Sequence, residues 1–134
     1  MNTKTWAWIF AVVFLAIGIL GFVPGITTAD GHLLGIFHVD AMHNIIHLIT
    51  GVIALFVAMG SGNAQKMFFK IFGVIYAVVA IAGLVWGGNV FGLIHTNTAD
   101  DILHVVIALI ALYAGFGGGK KKMMNDMPAQ GPQM

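Results

Sequence analysis

The chain has 134 residues, of which 59% are hydrophobic and 8% charged, with a mean hydropathy of +0.94. Soluble domains are roughly one quarter charged, so this composition excludes that class and describes an integral membrane protein. A net charge of +1 leaves no basic face for nucleic acid, and the absence of cysteine removes disulfides and thiolate chemistry.

Four apolar stretches follow one another: Thr5 to Val23, Asp40 to Met59, Met67 to Trp86 and Asn97 to Phe116. Each approaches the roughly 20 residues with which a helix crosses the hydrocarbon layer. Lys4 ahead of the first stretch, with Thr27, Thr28 and Ala29 behind it, also fits a signal peptide. The run is long for a signal core of about 7 to 15 residues and takes part in a repeat, which favours a retained span. The short connections leave room for one compact bundle over residues 1–119 and for no soluble domain. The expected fold is all-α, a four-helix membrane bundle made of two tandem helix-loop-helix repeats.

Lys4 precedes the first stretch, Lys66 and Lys70 flank the start of the third, and Lys120, Lys121 and Lys122 follow the fourth; the chain has no arginine. The positive-inside bias then places both termini and the middle loop in the cytoplasm of a bacterial cell, with the chain in its plasma membrane. The loops from Pro24 to Val39 and from Gly87 to Thr96 face outward, with Asp30, Asp40, Asp100 and Asp101. All six histidines, His32, His38, His43, His47, His95 and His104, fall on that outer side. Residues 120–134 read as a disordered tail whose lysines meet anionic headgroups, each contributing about 1 kcal/mol.

Gly35, His38, Asp40 and His47 align without a gap on Gly92, His95, Asn97 and His104 at a constant offset of 57, and Gly21 and Gly25 align on Gly83 and Gly87 at 62. Two units in the same orientation imply a pseudo-twofold axis along the membrane normal, which relates the second helix to the fourth. Asp40 and Asn97 are favoured N-cap residues. His47 and His104 then stand seven residues into their helices, about 10 Å below the helix start. Ionisable groups at that depth are costly, face the protein interior or a wet cavity, and mark a site.

His43 and His47 share one helical face, as do Asp100 and His104. If the two helices face each other, these four converge as three imidazoles and a carboxylate, a donor set for zinc or a similar divalent transition metal. Asn44 and Asp101 are the expected groups that orient the rings. Two other readings stay open. The cluster also serves as polar helix packing without a ligand, or His47 and His104 ligate a haem b from two sides. Gly21, Gly25, Gly51, Gly83 and Gly87 are expected at helix contacts. Trp6, Trp8 and Trp86 fit interfacial belts, and Phe68, Phe69 and Phe72 read as lipid-facing or packing residues.

Ser61 is the only serine and lies in the middle turn, remote from every histidine, so no hydrolase constellation exists and enzymatic activity is not expected. Besides the lipid bilayer, the partners to expect are further copies of the chain or a larger membrane complex. Such a complex would dock on the glycine faces of the first and third helices.

The box of His43, Asn44, His47 and Gly51, preceded by Leu34, Gly35 and Phe37, resembles the signature of the short bacterial four-helix membrane proteins grouped as domain of unknown function four-three-eight-three. Asp100 and His104 carry the weaker second copy, and the resemblance runs to Gly119. Asp40 stands where that pattern has Asn, which keeps the cap and adds a negative charge. The resemblance implies a multi-pass membrane protein with no established activity; the metal reading comes from spacing alone.

Overall fold

The computed structural model describes residues 2–117. Four helices, α1 (Thr3–Leu20), α2 (Ala41–Ala58), α3 (Gly62–Val85) and α4 (Thr98–Phe116), are each long and apolar enough to cross a membrane. The connections within each helix pair are hairpins rather than plain loops. β1 (His32–Leu33) pairs antiparallel with β2 (Phe37–His38) between α1 and α2, and β3 (Asn89–Val90) with β4 (Ile94–His95) between α3 and α4. Each half therefore has the same element order, and the two hairpins stand at the offset of 57 read from the histidines. Residues 118–134, with Lys120, Lys121 and Lys122, lie outside the described residues.

Helix ends differ from the expected ones for local reasons. α1 stops at Leu20 because the next amides bond three residues back, Phe22 to Ile19 and Val23 to Leu20, the tightening usual at a helix end. α3 starts at Gly62, five residues before the apolar run, because Ser61 caps it by accepting from the Ala64 amide. Gln65, buried just inside α3, places its Nε2 3.3 to 3.4 Å from the carbonyls of Val57, Ala58 and Gly60, and its Oε1 accepts from the Thr3 hydroxyl at 3.1 Å. It satisfies carbonyls that the end of α2 leaves free and ties the start of α1 to the same turn.

α1 packs closely on α2 and α3 on α4, whereas α2 and α3 touch sparingly. Lipid offers little hydrophobic drive for helix association, so small residues that admit close backbone approach do much of that packing. A Cβ on Gly18 would stand 2.8 Å from Leu48, one on Gly51 2.7 Å from Leu15, and one on Gly73 2.8 Å from Leu112. The buried centre is aromatic, with Phe10 edge-on to Phe69 and Phe72 at 5.2 and 5.5 Å, a geometry that adds about 0.5 to 1.5 kcal/mol per pair. Phe69 and Phe72 are thus packing residues. Trp8 and Trp86 are exposed.

The hairpins join the two halves at one end of the bundle. β2 lies beside α4 and β4 beside α2. The Asn97 amide group donates to the Ile36 carbonyl at 2.8 Å, and His38 Nδ1 lies 3.1 Å from the His95 carbonyl oxygen. Both tips turn through two consecutive left-handed residues, Leu34 and Gly35 in one, Phe91 and Gly92 in the other. Glycine adopts that region freely; Leu and Phe do so at a cost.

Candidate metal centre at the hairpin end of the bundle

Asp40 takes the N-cap of α2 and accepts from the His43 amide at 2.8 Å. Asn97 takes the N-cap of α4 and accepts from the Asp100 amide at 2.9 Å. From these fixed starts the helical period turns His43, His47 and His104 to the interior, where they are 1%, 7% and 3% exposed. The imidazoles meet: ring centroids are 4.3 Å apart for His43 and His47 and 5.8 Å for His43 and His104. One ligand nitrogen from each of the three lies within 4.8 Å of the others. Phe14 and Tyr76 pack edge-on against His47 and His104, each at 5.5 Å.

Among the described residues, both ring nitrogens of His43 and the Nδ1 atoms of His47 and His104 are buried without a hydrogen-bond partner. Buried polar atoms are bonded in the great majority of cases, and those that are not call for a catalytic role, a water or an ion. Three neutral imidazoles are zinc or copper chemistry. Drawing the nitrogens onto one tetrahedral ion requires them about 3.3 Å apart at metal to nitrogen distances of about 2.0 to 2.1 Å, so binding would draw the three rings closer together.

The carboxylate expected as the fourth donor is elsewhere. Asp100 stands at the third position of α4, and its Oδ2 accepts from the Asn97 amide at 2.9 Å, closing a capping box. That bond commits the carboxylate to the helix start, and Asp100 is not among the residues whose ligand atoms converge. Asn44 and Asp101 do not orient the rings either. Asp101 Oδ1 accepts from the Thr96 hydroxyl at 2.6 Å, Asn44 Oδ1 has no partner, and no hydrogen bond joins either residue to an imidazole among the described residues.

These two side chains instead fill the space over Gly21 and Gly83. A Cβ on Gly21 would fall 1.9 Å from Asn44 Oδ1, and one on Gly83 2.0 Å from Asp101 Oδ1. Both glycines are covered from within the chain by these side chains. A Cβ on Gly25 or Gly87 would meet no heavy atom within 4 Å, and the two lie at φ of +92° and +62°. They turn the chain after a helix and pack nothing, a correction to their expected place at helix contacts.

His38 and His95 sit at the seam between hairpins. His32 packs edge-on to His38 with ring centroids at 5.6 Å and places Nδ1 3.4 Å from Asp30. The Thr28 hydroxyl donates to the Asp30 carboxylate and holds it below the usual carboxylate range.

The sparse contact of α2 with α3 leaves a cleft of about 400 Å³ between them, and His43, His47 and His104 form part of its wall. Neither spacing nor composition pointed to it.

A bis-histidine haem fits this geometry poorly, because the macrocycle would have to stand between His47 and His104, where the His43 ring lies close to both. Neither a curated protein nor a solved structure matches the chain. Four apolar helices and the repeated box of His43, Asn44 and His47 with Asp100, Asp101 and His104 agree with a match to a family model over residues 4–117, and the chain belongs to that family, described as Domain of unknown function (DUF4383).

Proposed function

We propose that the chain is a membrane protein that binds a divalent transition metal, zinc being the type case, through His43, His47 and His104, with the fourth coordination position toward the cleft. One observation carries this reading: three buried imidazoles converge within 4.8 Å and keep ring nitrogens free of hydrogen bonds. Polar packing alone would use those nitrogens. The helix ends bearing Asp40, Asp100 and Asp101 add negative charge near the ion and offset the positive ends of α2 and α4.

In this reading Lys4, Lys66 and Lys70 mark the cytoplasmic end and the hairpins face outward. The role in this reading is binding: among the described residues the cluster consists of the three imidazoles alone. Assembly with further copies or with a larger complex would use helix faces other than those of Gly21 and Gly83.

The test is elemental analysis of untagged protein in mild detergent, comparing wild type with the His47→Ala, His104→Ala double variant. The expected result is one metal ion per one or two chains, lost in the variant. A metal-free wild type that also fails to take up zinc on titration refutes the reading.

A further inference from the structure

The cleft between α2 and α3 runs along both helices. On α2 its wall includes His43, His47 and Ile53; on α3 it runs from Phe68 to Val79, about 16 Å at the helical rise. The side chains at its edge, Ile53, Ile71, Ile75, Phe91 and Leu93, are among the exposed apolar residues, so it opens sideways at the depth where lipid surrounds a membrane bundle. Its α3 wall is an aromatic ladder: Phe68 stacks on Phe72 at 5.1 Å and Phe72 on Tyr76 at 4.3 Å, and Tyr76 meets His104 edge-on. Phe91, held in its left-handed conformation, contributes to the outer end.

Two features choose among occupants. Among the described residues no Lys, Asp or Glu lines the cleft, so none of them neutralises a charged headgroup, and a phosphate, carboxylate or ammonium buried there would be left unpaired at high cost. The polar groups that do line it are the three imidazoles, more than nine-tenths buried, with the hydroxyl-bearing Thr50 and Tyr76. An imidazole donates or accepts according to its tautomer, which suits a carbonyl or hydroxyl oxygen. An apolar cavity of about 150 Å³ holds benzene, so the cleft has room for a substituted ring and the first part of a hydrocarbon tail.

We infer that this cleft is a lateral binding site for an uncharged, lipophilic ring compound of the quinone or quinol class, its ring against the aromatic ladder of α3 and its oxygen at the histidine cluster. The inference shares the histidines with the metal reading and does not need the metal: a ring oxygen meets either an imidazole N–H or the open position of a bound ion.

The full chain is reconstituted in phosphatidylcholine nanodiscs and incubated with decylubiquinone, decylbenzene or decanoate. The amount retained is measured against empty discs, alongside metal content. The expected result is retention of roughly one decylubiquinone per chain with neither decylbenzene nor decanoate retained above background. Ile75→Trp places a bulky ring in the cleft from a lipid-exposed position outside the histidine cluster, and should abolish retention while leaving metal content unchanged. The His47→Ala, His104→Ala variant should retain at least about fivefold less, the scale of one lost hydrogen bond. Equal retention of decylbenzene, or retention unaffected by Ile75→Trp, overturns the inference. Quinone retained by metal-free protein supports it while refuting the metal reading; metal without retention does the reverse.

Discussion

The first turns of α2 and α4 occupy matching positions in the two halves and treat their polar groups in opposite ways. In α4 the polar groups are closed on themselves: Asp100 returns to the Asn97 amide, Asp101 takes the Thr96 hydroxyl, and the Asn97 side chain both caps the helix and reaches Ile36. In α2 only the cap is made. His43, at the place of Asp100, has neither ring nitrogen bonded, and Asn44, at the place of Asp101, has an unbonded oxygen. A shared scaffold with one satisfied end and one unsatisfied end separates structure from function: α4 contributes His104 and rigidity, while α2 contributes the open chemistry.

The sharpest break of this comparison is steric. Gly83→Ala drives a methyl into an Asp101 carboxylate that Thr96 holds, whereas Gly21→Ala meets an Asn44 oxygen that nothing holds. Overpacking costs about 1 to 3 kcal/mol, and Gly83→Ala should sit at or above the top of that range with Gly21→Ala below it. Unfolding of the two variants in mixed detergent micelles measures the order; equal losses would mean that Asn44 is as firmly held as Asp101.

Next in size is removal of the polar side chains themselves. Asp101→Ala strands the buried Thr96 hydroxyl, a loss of about 1 to 3 kcal/mol. Asn44→Ala removes an oxygen with no partner and should cost less than about 1 kcal/mol. The same unfolding assay reads both. A metal held by imidazole competes with protons, so bound metal should fall as the pH is lowered into the acid range and return on back-titration, with the helical content of the chain unchanged by circular dichroism. Metal content independent of pH would place the ion on other ligands.

The four helices were legible because apolar runs of membrane length carry their own signal, and the histidine convergence was legible because the repeat places α2 and α4 in matching positions. The errors were local. Asn97 and Asp100 stand three apart at a helix start, the spacing of a capping box, and that spacing already commits the Asp100 carboxylate to a backbone amide. Gly25 and Gly87 follow their helices by a few residues, where glycine more often turns a chain than packs it. The hairpins left little trace in the sequence beyond the matched Gly35 and Gly92, since each strand has two residues and the turns also use Leu34 and Phe91 at left-handed positions that such residues seldom take. The cleft was beyond reach because it arises from how far α2 stands from α3, a property of the assembled bundle rather than of either helix.

The smallest difference expected between the halves lies in the caps. Replacing an N-cap Asp or Asn by Ala typically costs about 1 kcal/mol, and a simple cap is all that Asp40 provides, through one bond to the His43 amide. Asn97 accepts from Asp100, shares its capping box and donates to Ile36 in the opposite hairpin. Asn97→Ala should therefore exceed Asp40→Ala by about 0.5 to 1.5 kcal/mol, the net worth of one further hydrogen bond. Asp40→Ala carries a second consequence, since the cap sets where α2 begins and so the height of His43 and His47. Asp40→Asn keeps the cap and removes the charge. If Asp40→Asn retains metal and Asp40→Ala weakens it, the cap acts by position; if both weaken it equally, the negative charge at the mouth of α2 is what helps to hold the ion.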